Sequence, residues 1–180
     1  IGQDTVVVTP ISMLRAVASV GVDGRMYTPH FLKEFKPISA MGKEGDLGFF
    51  PERPGFGFQR PEPRMIEMTP EQNDVIVKGM WAVVNGGGTA GRIRIPGFDI
   101  AGKTGTAQVA ELGKDVGDKK DHAWFVSFAP AEKPELSVIA LIENVGFGGS
   151  FAAPAVKGVY ETYLAKTGRL QPVADEVAKR

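Results

Sequence analysis

The chemistry of this chain concentrates in residues 97–108, Gly-Phe-Asp-Ile-Ala-Gly-Lys-Thr-Gly-Thr-Ala-Gln, where one lysine and two threonines sit among small side chains. An ammonium and two hydroxyls beside an open backbone make an anion receptor, and two kinds of receptor fit the spacing. Gly97, Gly102, Lys103 and Thr104 satisfy the phosphate-loop pattern G-x-x-x-x-G-K-[ST], whose backbone amides cradle phosphates at a helix N-terminus. Such a loop must start a helix on its Lys-Thr pair, yet Gly105 follows at once and costs about 1 kcal/mol in a helix interior relative to Ala. Phe98, Asp99 and Ile100 are bulky or anionic, and a carboxylate beside a triphosphate is electrostatically unfavourable. The apolar run 136–143 ends in Glu143 as the acidic strand of nucleotide hydrolases does, so a phosphate-loop nucleotide hydrolase stays open as an alternative. A strand over residues 100–109 fits better, because its residues are small and its glycines stand where a second backbone could approach.

On a strand, Lys103 and Thr104 point to opposite faces, so both serve one ligand only if it lies along the strand's edge. The expected ligand is then extended and peptide-like, added as a strand, with Gly105 leaving room for its backbone. Lys103, Thr104 and Thr106 would recognise a carboxylate, and a backbone N–H near Thr106 would stabilise an oxyanion.

The elements that must position this strand are legible around it. Thr9-Pro10 offers an N-cap with proline at the first helical position, followed by a stripe of Ile11, Leu14, Val17 and Ala18 that stops at the glycines of residues 21–24. Residues 25–35 read as extended, with His30 a packed or surface histidine rather than a base. Residues 36–63 are rich in proline and glycine and read as a long excursion whose Phe49, Phe50, Phe56 and Phe58 tuck back onto the body. Thr69-Pro70-Glu71-Gln72 is a capping box, and Ile76, Met80, Trp81, Val83 and Val84 form the expected buried face of its helix until Asn85 and Gly86 end it. Residues 86–91 are a glycine-rich connector, read as a plain flexible loop rather than a hinge or anion nest, and residues 92–95 a short alternating strand. The charged residues 111–121 read as a hairpin tip.

Residues 122–129 form a strand with His122, Trp124, Val126 and Phe128 on one face and Ala123, Phe125 and Ser127 on the other. Residues 136–143 read as a strand buried on both faces, and residues 152–166 as a closing helix through Val156, Val159, Tyr160, Tyr163 and Leu164, capped by Gly168. Short connections make the three strands an antiparallel meander, and the fold class is α+β, an antiparallel sheet packed with helices. We divide the chain into a helical part, residues 1–85 with the loop 36–63, and a part of sheet strands plus the last helix, residues 86–180.

Composition narrows the partners. Lys+Arg and Asp+Glu are both 21 in 180 residues, so no net charge drives the chain toward nucleic acid or an anionic membrane. The sequence contains no cysteine, which excludes disulfides, thiol catalysis and cysteine-ligated metals and fits envelope and cytosol alike. No apolar run reaches the ~18 residues of a membrane helix, and no signal peptide opens the chain. Because it starts at Ile1, a piece of a longer protein is expected.

Taken together, Gly2-Gln3, the Thr9-Pro10 helix start, the Gly-Gly-Gly-Thr-Ala run from Gly86, Ala101-Gly-Lys-Thr-Gly-Thr-Ala-Gln108 and Asp121-His-Ala-Trp-Phe-Val-Ser-Phe-Ala-Pro130 resemble the C-terminal part of a class B penicillin-binding protein, of the elongation type called penicillin-binding protein 2. The resemblance spans nearly the whole chain. It implies the penicillin-binding transpeptidase fold, shared with serine β-lactamases, and a D,D-transpeptidase that crosslinks peptidoglycan stem peptides through an acyl-serine and is inhibited by β-lactams. No cofactor or metal is implied, and the expected setting is the cell envelope, on the periplasmic side of a membrane anchor outside this chain, among the elongation machinery. Carried over, Lys103 joins the charge network facing the nucleophile, Thr104 and Thr106 hold the ligand carboxylate, the Thr106 amide completes the oxyanion hole, and Gly105, Ala107 and Gln108 line the substrate.

The family also needs Ser-x-x-Lys and Ser-x-Asn upstream of Lys-Thr-Gly. None of Ser12, Ser19, Ser39, Ser127, Ser137 and Ser150 has lysine three residues on or asparagine two on. Without nucleophile and base, which act as a unit, the chain alone is expected neither to turn over substrate nor to bind penicillin covalently. A non-catalytic peptidoglycan-binding scaffold is the alternative. An uncovered sheet edge or face is expected to favour dimerisation or domain swapping.

Overall fold

A computed structural model describes residues 7–31, 61–109 and 120–169. The Phe-rich excursion and the charged hairpin tip at residues 111–119 lie outside the described residues. The chain groups into two units, Ile1–Met26 with Met65–Arg180, and Tyr27–Arg64. Of the second unit only residues 27–31 and 61–64 are described.

The element order is α1 (Pro10–Val20), β1 (Arg25–Met26), β2 (Arg64–Met65), α2 (Pro70–Asn85), a 3-10 turn (Gly91–Ile93), β3 (Ala101–Ala107), β4 (His122–Ala129), β5 (Leu136–Ile142) and α3 (Ala152–Lys166). β1 and β2 form a small two-stranded sheet, and β3-β4-β5 form an antiparallel meander. Both helix starts follow their local chemistry. Thr9 caps α1 through Ser12 N–H at 3.3 Å. Thr69 caps α2 through Gln72 N–H at 3.3 Å, while the Gln72 side chain accepts from Thr69 N–H at 3.0 Å, a reciprocal box contributing about 1 kcal/mol.

Register makes the sheet the middle of three layers. Ala123, Phe125 and Ala129 of β4 face the core that α3 closes with Val156, Tyr160 and Leu164, and Leu136, Val138, Ala140 and Ile142 of β5 join that side. On the opposite face Ala101 and Phe128 meet Val17 and Val20 of α1 and Val77 and Met80 of α2. Phe98 packs edge-on against Tyr160, ring centroids 5.7 Å apart. One buried polar pair crosses the first core, Tyr160 Oη to Ser127 Oγ at 2.9 Å, and burial pushes the Tyr160 phenol far up.

Several expectations change. Residues 92–95 form no strand: Ile93 and Ile95 are buried, as alternation required, but Ile93 N–H donates to Ala90 O and Arg94 N–H to Gly91 O in a 3-10 turn, and Ile95 follows it in an isolated antiparallel bridge with Phe98. β5 is only half-buried along its length, because it is the last strand of the meander. Ile76 (43% exposed) and Trp81 (38%) lie outside the buried face of α2, which is Val84 with Val77, Met80 and Val83 in support. Beyond β1, residues 27–30 carry no regular structure. The stop of α3 is as expected: Gly168, at φ +71°, follows the last turn, its N–H donating to Ala165 O and Arg169 N–H to Leu164 O.

Candidate active-site wall

Three elements converge on β3. α2 holds its entry: Asn85 Nδ2 donates to Ile100 O at 2.9 Å and to Trp81 O at 3.2 Å, and Trp81 Nε1 donates to the Asp99 carboxylate at 2.9 Å. The connector after α2 is pinned rather than loose, with Gly86 and Gly88 N–H both bonded to Ala82 O and Ala90 N–H to Val83 O. β4 holds one side of β3, pairing Lys103 with Val126, Thr104 with Phe125 and Gly105 with Trp124. The third element is the turn before α3. A Cβ on Gly148 would lie 2.1 Å from Trp124 O and 2.4 Å from Gly105 O, so only glycine allows this turn to rest on the β3–β4 pair.

Lys103 and Thr104 therefore sit on a strand, not at a helix start, and the phosphate-loop alternative loses its geometry. Cross-strand partners share a face. Lys103, Gly105 and Ala107 lie on the α1/α2 side with Val126, Trp124 and His122, while Thr104 and Thr106 lie on the α3 side with Phe125 and Ala123. The lysine nevertheless reaches the edge: exposed Lys103 donates from Nζ to its neighbour's carbonyl, Thr104 O, at 2.9 Å. The Thr104 carbonyl thus faces away from β4, and strand alternation sends the N–H and C=O of Gly102 and Thr106 to the same edge. β3 ends at Ala107, leaving Gln108 exposed just beyond it.

Why the strand carries glycine is also visible. A Cβ at Gly102 would fall 2.5 Å from Phe125 Cζ and 3.0 Å from Val126 O, so the Lys-Thr pair enters over a buried ring that leaves no room for a side chain. Sequence reasoning missed Thr89, whose Oγ1 lies 2.9 Å from Thr104 Oγ1. Only its place in the Gly-Gly-Gly-Thr-Ala run marked it, and sequence separation hid the contact. Among the described residues no group of three or more His, Asp or Glu could hold a metal, and no helix is long and apolar enough to cross a membrane.

Comparison with known proteins agrees with this geometry. The family model of the penicillin binding protein transpeptidase domain matches residues 1–161. Peptidoglycan D,D-transpeptidase MrdA of Haemophilus influenzae is 32% identical over 174 residues, 91% of this chain and 25% of that protein. The Acinetobacter baumannii MrdA is 31% identical, covering 98% of this chain and 26% of the relative. Among solved structures, Pseudomonas aeruginosa PBP2 in complex with WCK 5153 superposes with a TM-score of 0.65 at 31% identity, over 97% of this chain and 34% of that one. The imipenem acyl-enzyme of Mycobacterium tuberculosis penicillin-binding protein A gives 0.64 at 26% identity, over 91% and 32%. The chain spans about a quarter of the length of the curated relatives it matches. With a family model over most of its length and this strand geometry, the chain belongs to the penicillin-binding protein transpeptidase domain family.

Proposed function

We propose that this chain supplies the Lys-Thr-Gly wall of a peptidoglycan D,D-transpeptidase active site, of the type of penicillin-binding protein 2. The observation that carries the reading is the outer edge of β3, where the Lys103 ammonium rests on the Thr104 carbonyl beside the Thr104 hydroxyl. An extended peptide added to this edge brings its terminal carboxylate to Thr104 and Thr106, with Gly105, Ala107 and Gln108 along its length. The ammonium of Lys103 lowers the cost of the carboxylate and of negative charge developing nearby. The Thr106 amide, on the same edge by alternation, stabilises the oxyanion that forms when a serine attacks the penultimate peptide carbonyl. That attack expels the terminal amino acid with the serine's proton, and the amine of a second stem peptide then displaces the serine. A β-lactam offers the same carboxylate and an acylating carbonyl, so it would be trapped at the first step.

The nucleophile of this reaction is not among the six serines here, since none has lysine three residues on. The chain is one wall of a cleft whose other wall lies elsewhere in the protein. Its activity therefore belongs to the whole enzyme, in the cell envelope on the periplasmic side and alongside the elongation machinery. Taken alone, β5, apolar except for Ser137, is the edge through which the chain would dimerise.

The test is covalent labelling with a fluorescent penicillin, read after denaturing electrophoresis. The whole protein should label, and Lys103→Ala should slow labelling about 100-fold or more. The 180-residue chain by itself should give no band. Label on the isolated chain would refute the missing nucleophile, and an unlabelled whole protein would refute the transpeptidase reading.

A further inference from the structure

We propose that Thr89 is a positioning residue for the carboxylate site: its hydroxyl donates to Thr104 Oγ1 and so turns the Thr104 proton toward the ligand. The inference rests on the transpeptidase reading above. Thr89 Oγ1 and Thr104 Oγ1 are 2.9 Å apart, and either can donate while no ligand is present. A carboxylate can only accept, so Thr104 must donate to it and then has lone pairs alone to offer Thr89. Ligand binding thereby fixes one direction, Thr89 O–H to Thr104 Oγ1 and Thr104 O–H to the carboxylate, and each bond polarises the next. Lys103 does not compete for this role, because its ammonium lies on the Thr104 carbonyl and not on the hydroxyl.

Thr89 is held from two sides. The bonds of Gly88 N–H to Ala82 O at 3.2 Å and Ala90 N–H to Val83 O at 3.0 Å fix its backbone to the end of α2. A Cβ on Gly149 would stand 2.4 Å from Thr89 O and 3.4 Å from Thr104 Cγ2, so the turn before α3 closes over both threonines. The hydroxyl pair itself is open to solvent, Thr89 being exposed and Thr104 half-buried, so an incoming carboxylate can reach it. A site with these properties needs a second hydroxyl at position 89 and has no use for the threonine methyl.

The test compares acylation rates of the whole protein with two fluorescent penicillins, one carrying its free carboxylate and one with that carboxylate converted to a neutral amide. Thr89→Val should slow acylation by the carboxylate probe about tenfold, the size expected for one lost hydrogen bond in a charged network, and leave the amide probe unchanged. Thr89→Ser should restore the wild-type rate with both. The ratio between probes is the readout, so if Thr89→Val melts early, Thr89→Ala carries the same comparison. An equal loss with both probes, no loss with either, or failure of serine to rescue would overturn the role of Thr89. Wild-type protein that labels with neither probe would sink the transpeptidase reading, and this inference with it.

Discussion

Replacing Gly148 by alanine tests whether the turn before α3 rests directly on the Lys-Thr-Gly strand. The added Cβ would lie 2.1 Å from Trp124 O, 2.4 Å from Gly105 O and 3.0 Å from Gly105 N. A carbon meets a carbonyl oxygen comfortably at about 3.3 Å, so the turn must lift by about 1.2 Å. All three obstructing atoms are backbone in a paired ladder, and no rotamer change relieves them. The cost should therefore fall at the upper end of the range for overpacking, about 3 kcal/mol. For a chain of this size that lowers the melting temperature by about 6–12 °C. Thermal unfolding followed by circular dichroism reads the first effect. Penicillin acylation of the whole protein reads the second, because lifting the turn also withdraws Gly149 from Thr89 and Thr104. A Gly148→Ala protein that melts within about 1 °C of wild type, well inside the predicted shift, and acylates normally would refute the close approach.

The contrasting substitution is Gly79→Ala in α2, where a Cβ meets nothing within 4 Å; it should stabilise by about 0.5–1 kcal/mol, seen as a higher melting temperature. Tyr160→Phe removes the bond to Ser127 Oγ in the core and should cost about 1 kcal/mol by denaturant titration, since Ser127 keeps the Val138 carbonyl at 3.3 Å as acceptor. Glu135 accepts from the Arg169 guanidinium and from Tyr163, and these bonds, Arg169 first, hold its carboxyl below the ordinary 4.5. A lowered folded-state pKa contributes stability above the unfolded value and loses it as pH falls through the folded one. Glu135→Gln should therefore melt below wild type at pH 7, with the gap closing as pH falls below about 4.5, and a gap that stays constant down to pH 3 would rule the linkage out.

How much of this was legible in the chain depends on how local the physics is. Thr9-Pro10 and Thr69-Pro70-Glu71-Gln72 announced their helices because capping is decided within four residues. The alternating faces of residues 122–129, the apolar run of residues 136–143 and the short connections between strands announced an antiparallel meander, and Gly105 after Lys103-Thr104 disfavoured a helix there. Patterns failed where burial is set by neighbours far along the chain. The alternation at Ile93 and Ile95 marked two core positions correctly but could not show that a 3-10 turn carries the first and an isolated bridge to Phe98 the second, since a strand would bury the same side chains. Trp81 read as core and instead spends its indole N–H on Asp99, which the chain brings back only after the connector has turned.

For the site itself, residue types alone determined that an ammonium, two hydroxyls and a glycine share one short strand, and that no serine here has the lysine spacing of an acyl-enzyme nucleophile. Tertiary structure decided the rest. It bent Lys103 from its own face of the sheet to the edge carbonyl of Thr104, set Gly148 on the Gly105–Trp124 pair, and brought Thr89 within 2.9 Å of Thr104. The last two of these contacts join residues 15 or more positions apart, and no local propensity encodes them. They follow from where α2, β4 and the last turn are packed around one strand.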